Sequence, residues 1–453
     1  MRTIREEARD VPVAAECDVC VIGGGCTGVF AAVAAARLGA RVALVENNGF
    51  FGGVATAGLV NVWHSLHDTQ GEARIIAGLT QEVIERLERR GGVVFGAPAG
   101  KGPYTVLGTE DLKIVLDELV QEAGVRPFLH CRFAAAHMEG GRIGAAVVED
   151  KSGRRAIAAR YFVDASGDGD LIARAGLPFT GRDDLQPPTT CALLQGLGEI
   201  ETRNPDFRLA AAAFEGSAGE GLPRGYLWST AVPGARDLRL VAGTRVSGAD
   251  CSDADQLTRA ELEGRRQVRL LRDRLREGFE GGESVALVGM SSYIGIRETR
   301  HARCRHTLTE QEVLTGERFA DAIANGTYPC DVHHSGKPGI TLRYLDGRED
   351  YAVPGRPTER RRWRPEQEAS PMFWQIPYRS LVPEGAENVL VAGRLVDADR
   401  GAYGAVRVMV ACNQTGEAAG TACRLALQDG GSVAEVEAGA LRETMARQGS
   451  AIV

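Results

Sequence analysis

The chain has 453 residues, a formal net charge of −7 at pH 7 and an apolar content of 44%. This length allows two domains, or one elaborated domain, around a large core. The acidic balance argues against a nucleic-acid-binding surface. No apolar run approaches the roughly 18 residues that a membrane-spanning helix needs, so no membrane span is expected.

The N-terminus and the cysteines indicate a compartment. The first residues are charged and lack the apolar segment of a secretory signal. Ten cysteines are spread thinly along the chain, which is typical of a reducing compartment rather than of a disulfide scaffold. We therefore expect a cytoplasmic protein without a metal site.

The most informative segment is 18–46, where an apolar strand leads directly into a glycine-rich turn. Residues 19–22 are predicted to form a buried parallel strand, and three glycines follow it with the spacing GxGxxG. These glycines are Gly23, Gly25 and Gly28. They are suited to a tight turn, to close approach of the backbone to a pyrophosphate, and to tight packing of a helix on the strand.

A βαβ unit surrounds this turn. The small-residue segment 27–38 predicts a helix, 41–45 predicts a second strand, and Glu46 stands at the end of that strand. The helix N-terminus offers free N–H groups and partial positive charge to phosphates. The Glu46 carboxylate can accept hydrogen bonds from both hydroxyls of an adenosine ribose. The segment therefore predicts dinucleotide binding.

The next segments supply a second glycine-rich loop, two helices and a meander. Residues 50–58 are typical of a loop where the backbone passes close to another group. Helical periodicity covers 72–90 and 109–123. Three short alternating strands follow, and the last of them runs into the sequence VDASGD, which ends at Asp168. The strands are predicted over 128–137, 142–150 and 155–162.

The pattern changes beyond residue 180 and returns near the C-terminus. Mixed strands, proline-rich loops and a charged helix near 254–277 indicate a second, inserted domain. An apolar strand at 388–394 and a helix over 405–427 then complete the first domain. The expected division is a discontinuous cofactor domain over 14–180 and 384–430, an inserted substrate domain over 181–383, and a C-terminal tail over 431–453.

Three blocks in this order resemble the glutathione-reductase-like FAD fold. They are the glycine fingerprint with its acid, the meander ending at Asp168, and the late strand 389–394. Finer segments resemble the bacterial FAD-dependent oxidoreductase family more narrowly, and these are 51–56, 168–171, 295–300, 376–383 and 407–409. The resemblance implies an α/β protein in which a Rossmann domain with a parallel sheet and β-meander binds FAD, with an inserted α+β substrate domain.

The resemblance also implies roles for single residues. Asp168 would lie beside the ribityl chain or pyrophosphate, and a helix starting near Ala405 would aim its N-terminus at the flavin N1/O2 edge. That helix or Arg407 would raise the reduction potential, although Arg407 could instead form a surface or inter-domain salt bridge. The expected cofactor-binding residues are Gly23, Gly25, Cys26, Thr27, Gly28, Glu46, Gly52, Gly53, Ala55, Thr56, Asp168, Gly393, Arg394, Ala405 and Arg407.

The fingerprint departs from the usual family pattern at Cys26 and Thr27, where the family most often has proline or serine followed by alanine. Both residues are small enough to fit. A cysteine at a helix N-terminus can have a lowered thiol pKa, an effect that a neighbouring phosphate would oppose.

Candidate catalytic residues come from the loop after the second glycine-rich segment and from the inserted domain. His64 could act as a general base, bind substrate or carry flavin covalently, or it could simply stabilise its loop. His333 and His334 lie in a polar loop and could take a proton as hydride leaves for flavin N5. Arg297 could clamp a substrate carboxylate through a two-pronged bond, or pair with Glu298.

The sequence predicts a FAD-dependent oxidoreductase that transfers a hydride between a small polar organic substrate and flavin N5. No second GxGxxG and no CxxxxC pair follow the first βαβ unit, so a pyridine-nucleotide disulfide reductase is not indicated. The alternative is a flavin-dependent monooxygenase, and a non-catalytic FAD-fold binding protein is less favoured because the glycines and the acid are intact. The electron acceptor (oxygen, a quinone or a carrier protein) stays open, and a homodimer is compatible with the sequence.

Overall fold

The computed structural model describes residues 2–5, 7–96, 103–214, 221–367 and 369–453. Its strands are β1 (Val13–Ile22), β2 (Val42–Val45), β3 (Val62–Trp63), β4 (Val93–Gly96), β5 (Tyr104–Leu107), β6 (Arg126–Phe128), β7 (Arg132–Glu139), β8 (Arg142–Asp150), β9 (Gly153–Asp164), β10 (Phe179–Thr180), β11 (Cys191–Gln195), β12 (Trp228–Ala231), β13 (Leu238–Ala242), β14 (Ala286–Met290), β15 (His301–Ala302), β16 (Ala322–Gly326), β17 (Cys330–His333), β18 (Ile340–Arg343), β19 (Arg348–Ala352), β20 (Glu359–Arg362), β21 (Trp374–Pro377) and β22 (Val389–Val391).

The helices are α1 (Cys26–Arg37), α2 (Gly78–Glu88), α3 (Thr109–Glu122), α4 (Asp170–Arg174), α5 (Leu197–Arg203), α6 (Leu209–Ala212), α7 (Ala254–Gly278), α8 (Glu310–Thr315), α9 (Arg400–Val406), α10 (Met409–Asp429) and α11 (Ala438–Arg447). No helix in the described ranges combines the length and apolar character needed to cross a membrane.

A seven-stranded sheet carries the first βαβ unit. Its order is β6-β2-β1-β9-β8-β7, and β22 pairs with the far end of β9. Strands β6, β2, β1, β9 and β22 are parallel, whereas β7 and β8 form an antiparallel meander with β9. Ile22, Asp164 and Val391 lie in register at the carboxyl end of their strands. The segments that follow these residues therefore meet at one edge of the sheet.

The remaining sheets are smaller and antiparallel. One has the order β12-β13-β11-β14, and another has the order β17-β18-β19-β20. The long charged helix α7 packs on the first of these, because Val268, Leu271 and Leu275 share a buried cluster with Ala192 and Leu194. This agrees with the charged helix that the sequence predicts, and the mixed α/β fold with a parallel sheet is confirmed.

Two expectations near the C-terminus need correction. The helix predicted over 405–427 is two helices, α9 and α10. The first begins earlier than predicted, because the Asp399 carboxylate accepts the Ala402 N–H at 2.9 Å and caps the helix there. Val408 is extended (φ −69°, ψ 146°) and separates the two helices. The segment expected to be a tail contains α11, whose Leu441 and Met445 are buried in the main core.

Helix α10 packs directly on the backbone of α1. A Cβ atom at Gly416 would lie 2.1 Å from the Thr27 carbonyl oxygen, and one at Gly420 would lie 2.0 Å from the Ala31 carbonyl oxygen. Both distances are far shorter than any real carbon–oxygen contact, so only glycine allows this approach. The contact brings the first turns of α1 and α10 to the same end of the sheet.

We expect Gly420→Ala to lower the free energy of unfolding by about 1–3 kcal/mol, because the added methyl group forces the two helices apart. Urea or thermal unfolding measures the change. Gly278→Ala is the control, since Gly278 is the last residue of helix α7 and a Cβ there would meet no atom within 4 Å. Equal stability of the two variants would contradict the direct backbone contact.

Candidate functional site

An open cleft runs along the carboxyl edge of the parallel strands. It encloses about 1470 Å³ of empty space, part of which is continuous with solvent. Its walls come from the turn after β1, the loop after β2, the segment after β9, the segment after β22 and the first turns of α10. Such a crevice at the carboxyl ends of strands is where open α/β sheets bind ligands.

The glycine turn forms part of the cleft wall. Gly23 has φ +98°, and a Cβ there would lie 2.3 Å from the Ala165 carbonyl oxygen, so a side chain cannot be accommodated. Gly25, Cys26 and Thr27 line the cleft at the start of α1. Among the described residues no side chain caps this first turn. Its N–H groups and the helix dipole therefore favour an anion at this position.

Glu46 lies beside the glycine turn with its carboxylate buried. One carboxylate oxygen, Oε2, accepts the Gly24 N–H at 2.7 Å, and Oε1 accepts the backbone and side-chain N–H groups of Asn48, both at 2.7 Å. Burial raises the pKa of Glu46, although these hydrogen bonds oppose that effect. A carboxylate oxygen can accept more than one hydrogen bond, so Glu46 can also accept from a ligand diol.

Asp168 and Arg394 meet in the middle of the cleft. Asp168 Oδ1 accepts hydrogen bonds from Arg394 Nη2 at 3.0 Å and from the Thr299 hydroxyl at 2.9 Å. Arg394 Nη1 is buried and has no partner within the described part of the chain. A buried guanidinium nitrogen without an acceptor is costly, so this position calls for a ligand oxygen.

Another part of the cleft wall is apolar, with one unsatisfied amide. Val54, Ala57, Ile296 and Met409 contribute apolar wall. Asn413, in the second turn of α10, is fully buried, and neither atom of its side-chain amide has a partner among the described residues. This amide can donate and accept at once, and thus suits a ring edge that carries both a donor and an acceptor.

A buried group of charged and polar residues adjoins this part of the cleft, and we call it the arginine cluster. Its members are Gln186, Arg245, Arg297, Tyr328, Asp331, His333 and Arg407. Arg407 belongs both to the cleft wall and to the cluster. The cluster draws on segments before β11, after β13, after β14, at β17 and between α9 and α10.

Asp331 is the centre of this cluster. Its Oδ2 accepts hydrogen bonds from the Tyr328 hydroxyl at 3.0 Å, from His333 Nε2 at 3.2 Å and from Arg407 Nη2 at 3.3 Å. Burial by itself would raise the pKa of Asp331, but His333, Arg407 and Tyr328 more than offset it, and the pKa falls well below its usual value. Asp331 is therefore a charged carboxylate that fixes the Arg407 guanidinium.

His333 is held in one protonation state. Arg245 Nη2 donates to His333 Nδ1 at 2.7 Å, so the ring proton resides on Nε2 and is donated to Asp331. Burial lowers the pKa of His333 to about 3, against the opposing effect of Asp331. Because both nitrogens are engaged, this arrangement does not support the expectation that His333 accepts a substrate proton.

The other predicted catalytic histidines differ in their surroundings. His334 Nε2 lies 2.8 Å from the Thr341 hydroxyl, and burial together with Lys337 lowers the pKa of His334 to about 4. Neither His334 nor His64 contributes to the cleft wall. His64 is half-buried, and its ring lies against the Tyr328 ring with a centroid separation of 4.1 Å. His64 is thus the predicted histidine placed at the edge of the arginine cluster.

Arg297 does not form the expected alternative pair with Glu298. Its Nη1 donates to the Pro187 carbonyl oxygen and to the Thr189 hydroxyl, both at 2.6 Å. Glu298 is paired with Arg182 at 2.6 Å and faces His301 at 3.0 Å. Arg297 is half-buried and keeps part of its surface accessible.

Most of the predicted cofactor-binding set lies in the wall of the cleft. The lining members are Gly23, Gly25, Cys26, Thr27, Glu46, Gly52, Gly53, Asp168, Gly393, Arg394 and Arg407. Gly28, Ala55, Thr56 and Ala405 lie behind the wall, and the Thr56 hydroxyl donates to the Phe51 carbonyl oxygen at 2.7 Å.

The structure corrects the expected helix start near Ala405, because Ala405 lies inside α9 and the cleft receives the start of α10 at Met409. The position of Cys26 at a helix N-terminus does not lower its thiol pKa, since burial raises that pKa to about 12.

Several residues of the site were missed by the sequence reasoning. Asn48 and Asn413 belong to no motif that the sequence displays, and Gln186 and Arg245 are far from the recognised blocks. Asp331 had a signal, because it stands two residues before His333 in a strand and therefore points to the same face.

Comparison with known proteins identifies the family. The family of FAD dependent oxidoreductases matches this chain over residues 18–445. The chain belongs to that family. It is accordingly a FAD-dependent oxidoreductase, and the expectations of this family, of an enzyme and of FAD as cofactor are confirmed. No protein of curated function matches the sequence.

Solved structures with a similar fold share little sequence with it. A geranylgeranyl bacteriochlorophyll reductase-like protein from Thermoplasma acidophilum is 13% identical, with 96% of this chain and 84% of that chain covered and a TM-score of 0.50. The myxobacterial chondrochloren halogenase CndH is 13% identical, with 96% and 79% covered and a TM-score of 0.43. The p-nitrophenol 4-monooxygenase PnpA from Pseudomonas putida is 13% identical, with 64% and 70% covered and a TM-score of 0.39. The first likeness concerns the fold alone, and the other two are too weak to bear on function.

The residues of the cleft fit FAD. The uncapped first turn of α1 suits a diphosphate, and Glu46 beside it suits a ribose diol. Arg394 Nη1 and the Asn413 amide are buried polar groups that need partners from a ligand.

We expect Glu46→Gln to weaken FAD binding about 10- to 100-fold, because the amide loses one acceptor oxygen and the negative charge that strengthens its hydrogen bonds. Fluorescence titration of the FAD-depleted protein measures the dissociation constant. Glu122→Gln, at an exposed surface ion pair with Arg86, is the control. An unchanged dissociation constant for Glu46→Gln would contradict the placement of the ribose.

Proposed function

We propose that the enzyme transfers a hydride between a small polar organic substrate and N5 of the flavin ring. The observation that carries the proposal is the position of Arg407, which lines the apolar part of the cleft and is held by Asp331 of the arginine cluster. The part of the cleft that would bind the flavin ring thus adjoins the arginine cluster. When bound, FAD supplies the centre that takes up or gives the hydride.

The residues that would hold FAD follow the cleft from one end to the other. Glu46 would bind the adenosine ribose, and the first turn of α1 would bind the pyrophosphate. Asp168 and Arg394 would hold the ribityl region. In the apolar part, Asn413 would face the polar edge of the ring. This assignment is supported by the orphaned buried atoms of Arg394 and Asn413 and by the two uncapped helix starts.

We further propose the glutathione-reductase-like arrangement for the cofactor domain, with the division 14–180 and 384–430 against 181–383. The seven-stranded sheet supports this division, because its strands come from 13–164 and 389–391. The strands between them form separate, smaller sheets. The arginine cluster joins residues of both units, as expected for a substrate site between a cofactor domain and a substrate domain.

His64 is the residue that we propose as proton acceptor. When an alcohol or amine carbon loses a hydride, the attached O–H or N–H must lose a proton as the carbonyl or imine forms. His64 lies against Tyr328 at the edge of the arginine cluster, and that cluster adjoins the cleft at Arg407. Arg297 would orient the substrate, and oxygen, a quinone or a carrier protein would receive the electrons.

We expect His64→Gln to slow substrate reduction of the bound flavin by about 100-fold or more, because the proton then lacks a base. Anaerobic rapid mixing with a panel of alcohols, amines and hydroxy acids measures the loss of the flavin's visible absorbance. FAD content and the visible spectrum of the resting protein should stay unchanged.

His137→Gln is the matched control, since His137 is exposed on β7 beside Glu139. A wild-type rate for His64→Gln would remove His64 from the mechanism. Formation of a hydroxylated product with consumption of oxygen and an external reductant would overturn hydride transfer and favour a monooxygenase.

A further inference from the structure

The arginine cluster contains more positive than negative charge. It holds the three guanidinium groups of Arg245, Arg297 and Arg407 but one carboxylate, that of Asp331, and His333 is neutral. Arg182 and Glu298 form a separate, balanced pair nearby. A buried site with excess charge is unfavourable unless a group of opposite charge enters it. The cluster therefore favours an anion.

Arg297 reports this imbalance most directly. Burial lowers its pKa to about 9, and the next largest contributions come from the positive charges of Arg407 and Arg245. Even so, Arg297 remains charged at neutral pH. It makes no ion pair within the described part of the chain.

The free edge of Arg297 has the geometry of a carboxylate receptor. Its Nη1 is used by Pro187 and Thr189, whereas Nε and Nη2 make no hydrogen bond to any described residue. These two N–H groups are parallel and match the two oxygens of a carboxylate. Neither nitrogen is among the buried atoms without a partner, and the residue keeps part of its surface accessible, so this edge is open to a ligand.

Neighbouring donors are also unsatisfied. Gln186 is fully buried, and its Nε2 has no partner among the described residues. Arg407 Nε is likewise buried without one. Gln186 Oε1 accepts hydrogen bonds from the backbone N–H of His333 at 3.1 Å and from Arg407 Nη2 at 3.3 Å. These bonds orient the side-chain amide and leave its NH₂ group available to a ligand. Among the buried cluster atoms without a described partner, Gln186 Nε2, Arg245 Nε and Arg407 Nε are donors and Asp331 Oδ1 is an acceptor, so donor capacity predominates.

FAD does not supply the missing negative charge in its oxidised state. Its phosphates suit the uncapped first turn of α1, beside Gly25 and Thr27, whereas Arg297 belongs to the arginine cluster. The oxidised ring itself is uncharged. The anion must then come from the other ligand of the site.

We propose that the substrate of this enzyme carries a carboxylate group, which Arg297 binds side-on through its Nε–H and Nη2–H while Arg407 and Gln186 supply further donors. The inference rests on the proposed function, since it assigns the substrate class to that same site. Asp331, His333 and Arg245 are positioning residues: they hold the Arg407 guanidinium and do not contact the substrate. The substrate class is a small carboxylic acid whose alcohol or amine carbon lies close to the carboxylate.

Binding of benzoate and of its uncharged analogue benzamide to the oxidised, FAD-loaded protein tests the proposal. Titration calorimetry and the change in the flavin's visible spectrum report binding without turnover. We expect benzoate to bind at least about tenfold more tightly than benzamide. Equal binding of the two compounds, or no binding of benzoate, would overturn the proposal. Tighter binding of inorganic phosphate than of benzoate would also overturn it, because the site would then suit a phosphorylated substrate.

Variants of Arg297 locate the binding group. Arg297→Lys keeps the positive charge but loses the two-pronged geometry, so we expect about tenfold weaker benzoate binding. Arg297→Met should abolish it, and the lysine variant keeps the test available if the methionine variant does not fold. Arg361→Met, at an exposed arginine of β20, is the control with unchanged binding. Wild-type benzoate affinity in Arg297→Lys and Arg297→Met would overturn the assignment.

The experiments distinguish a failure of the carboxylate proposal from a failure of the hydride-transfer proposal. If neutral alcohols or amines reduce the flavin anaerobically while benzoate does not bind, the carboxylate proposal falls and hydride transfer stands. If benzoate binds through Arg297 but no compound of the panel reduces the flavin, the carboxylate proposal stands and hydride transfer falls.

Discussion

The direct backbone contact between α1 and α10 is the constraint on which the cleft depends. Gly416 and Gly420 approach the carbonyl oxygens of Thr27 and Ala31 with no side chain between them. Two helices that touch in this way are fixed in both separation and register, because a sideways shift would create clashes along the contact. Their first turns consequently open into one cleft, and two uncapped helix starts face the same ligand.

The break between α9 and α10 connects this cleft to the arginine cluster. Had the chain continued as one helix from residue 400, the free N–H groups of the first turn would lie away from the cleft. Instead α9 ends at Val406, Arg407 reaches Asp331, and α10 begins again at Met409. A charged side chain and a helix start are thus placed side by side in the apolar part of the cleft. The hydrogen bonds of Asp331 keep Arg407 in that position.

The first βαβ unit and its ligand could be predicted because their signals are local. A buried strand, a glycine turn, a small-residue helix and Glu46 lie within 18–46, and each residue type answers a steric or electrostatic demand of its immediate neighbours. The late strand β22, which is followed closely by Gly393, was predictable for the same reason.

The arginine cluster could not be predicted as a unit. Its members come together only through the packing of separate sheets, as Gln186, Arg245, Arg297 and Asp331 do. Their spacing in the sequence does not predict that packing. His333 shows the consequence. Its residue type suggests a base, but Arg245, which stands 88 residues earlier in the sequence, donates a hydrogen bond to its acceptor nitrogen. The early start of α9 was missed because Asp399 acts through a cap, which hydrophobic periodicity does not reveal.

A crystal structure of the protein with FAD bound tests whether one FAD molecule spans the cleft from Glu46 to Arg407. We predict that the pyrophosphate lies at the first turn of α1 and that the flavin ring lies within hydrogen-bonding reach of the Asn413 amide, about 3 Å between heavy atoms. The arginine cluster should border the open face or edge of the ring. A flavin ring beside Glu46, or one separated from Arg407 and Asn413 by other parts of the chain, would contradict this placement of FAD.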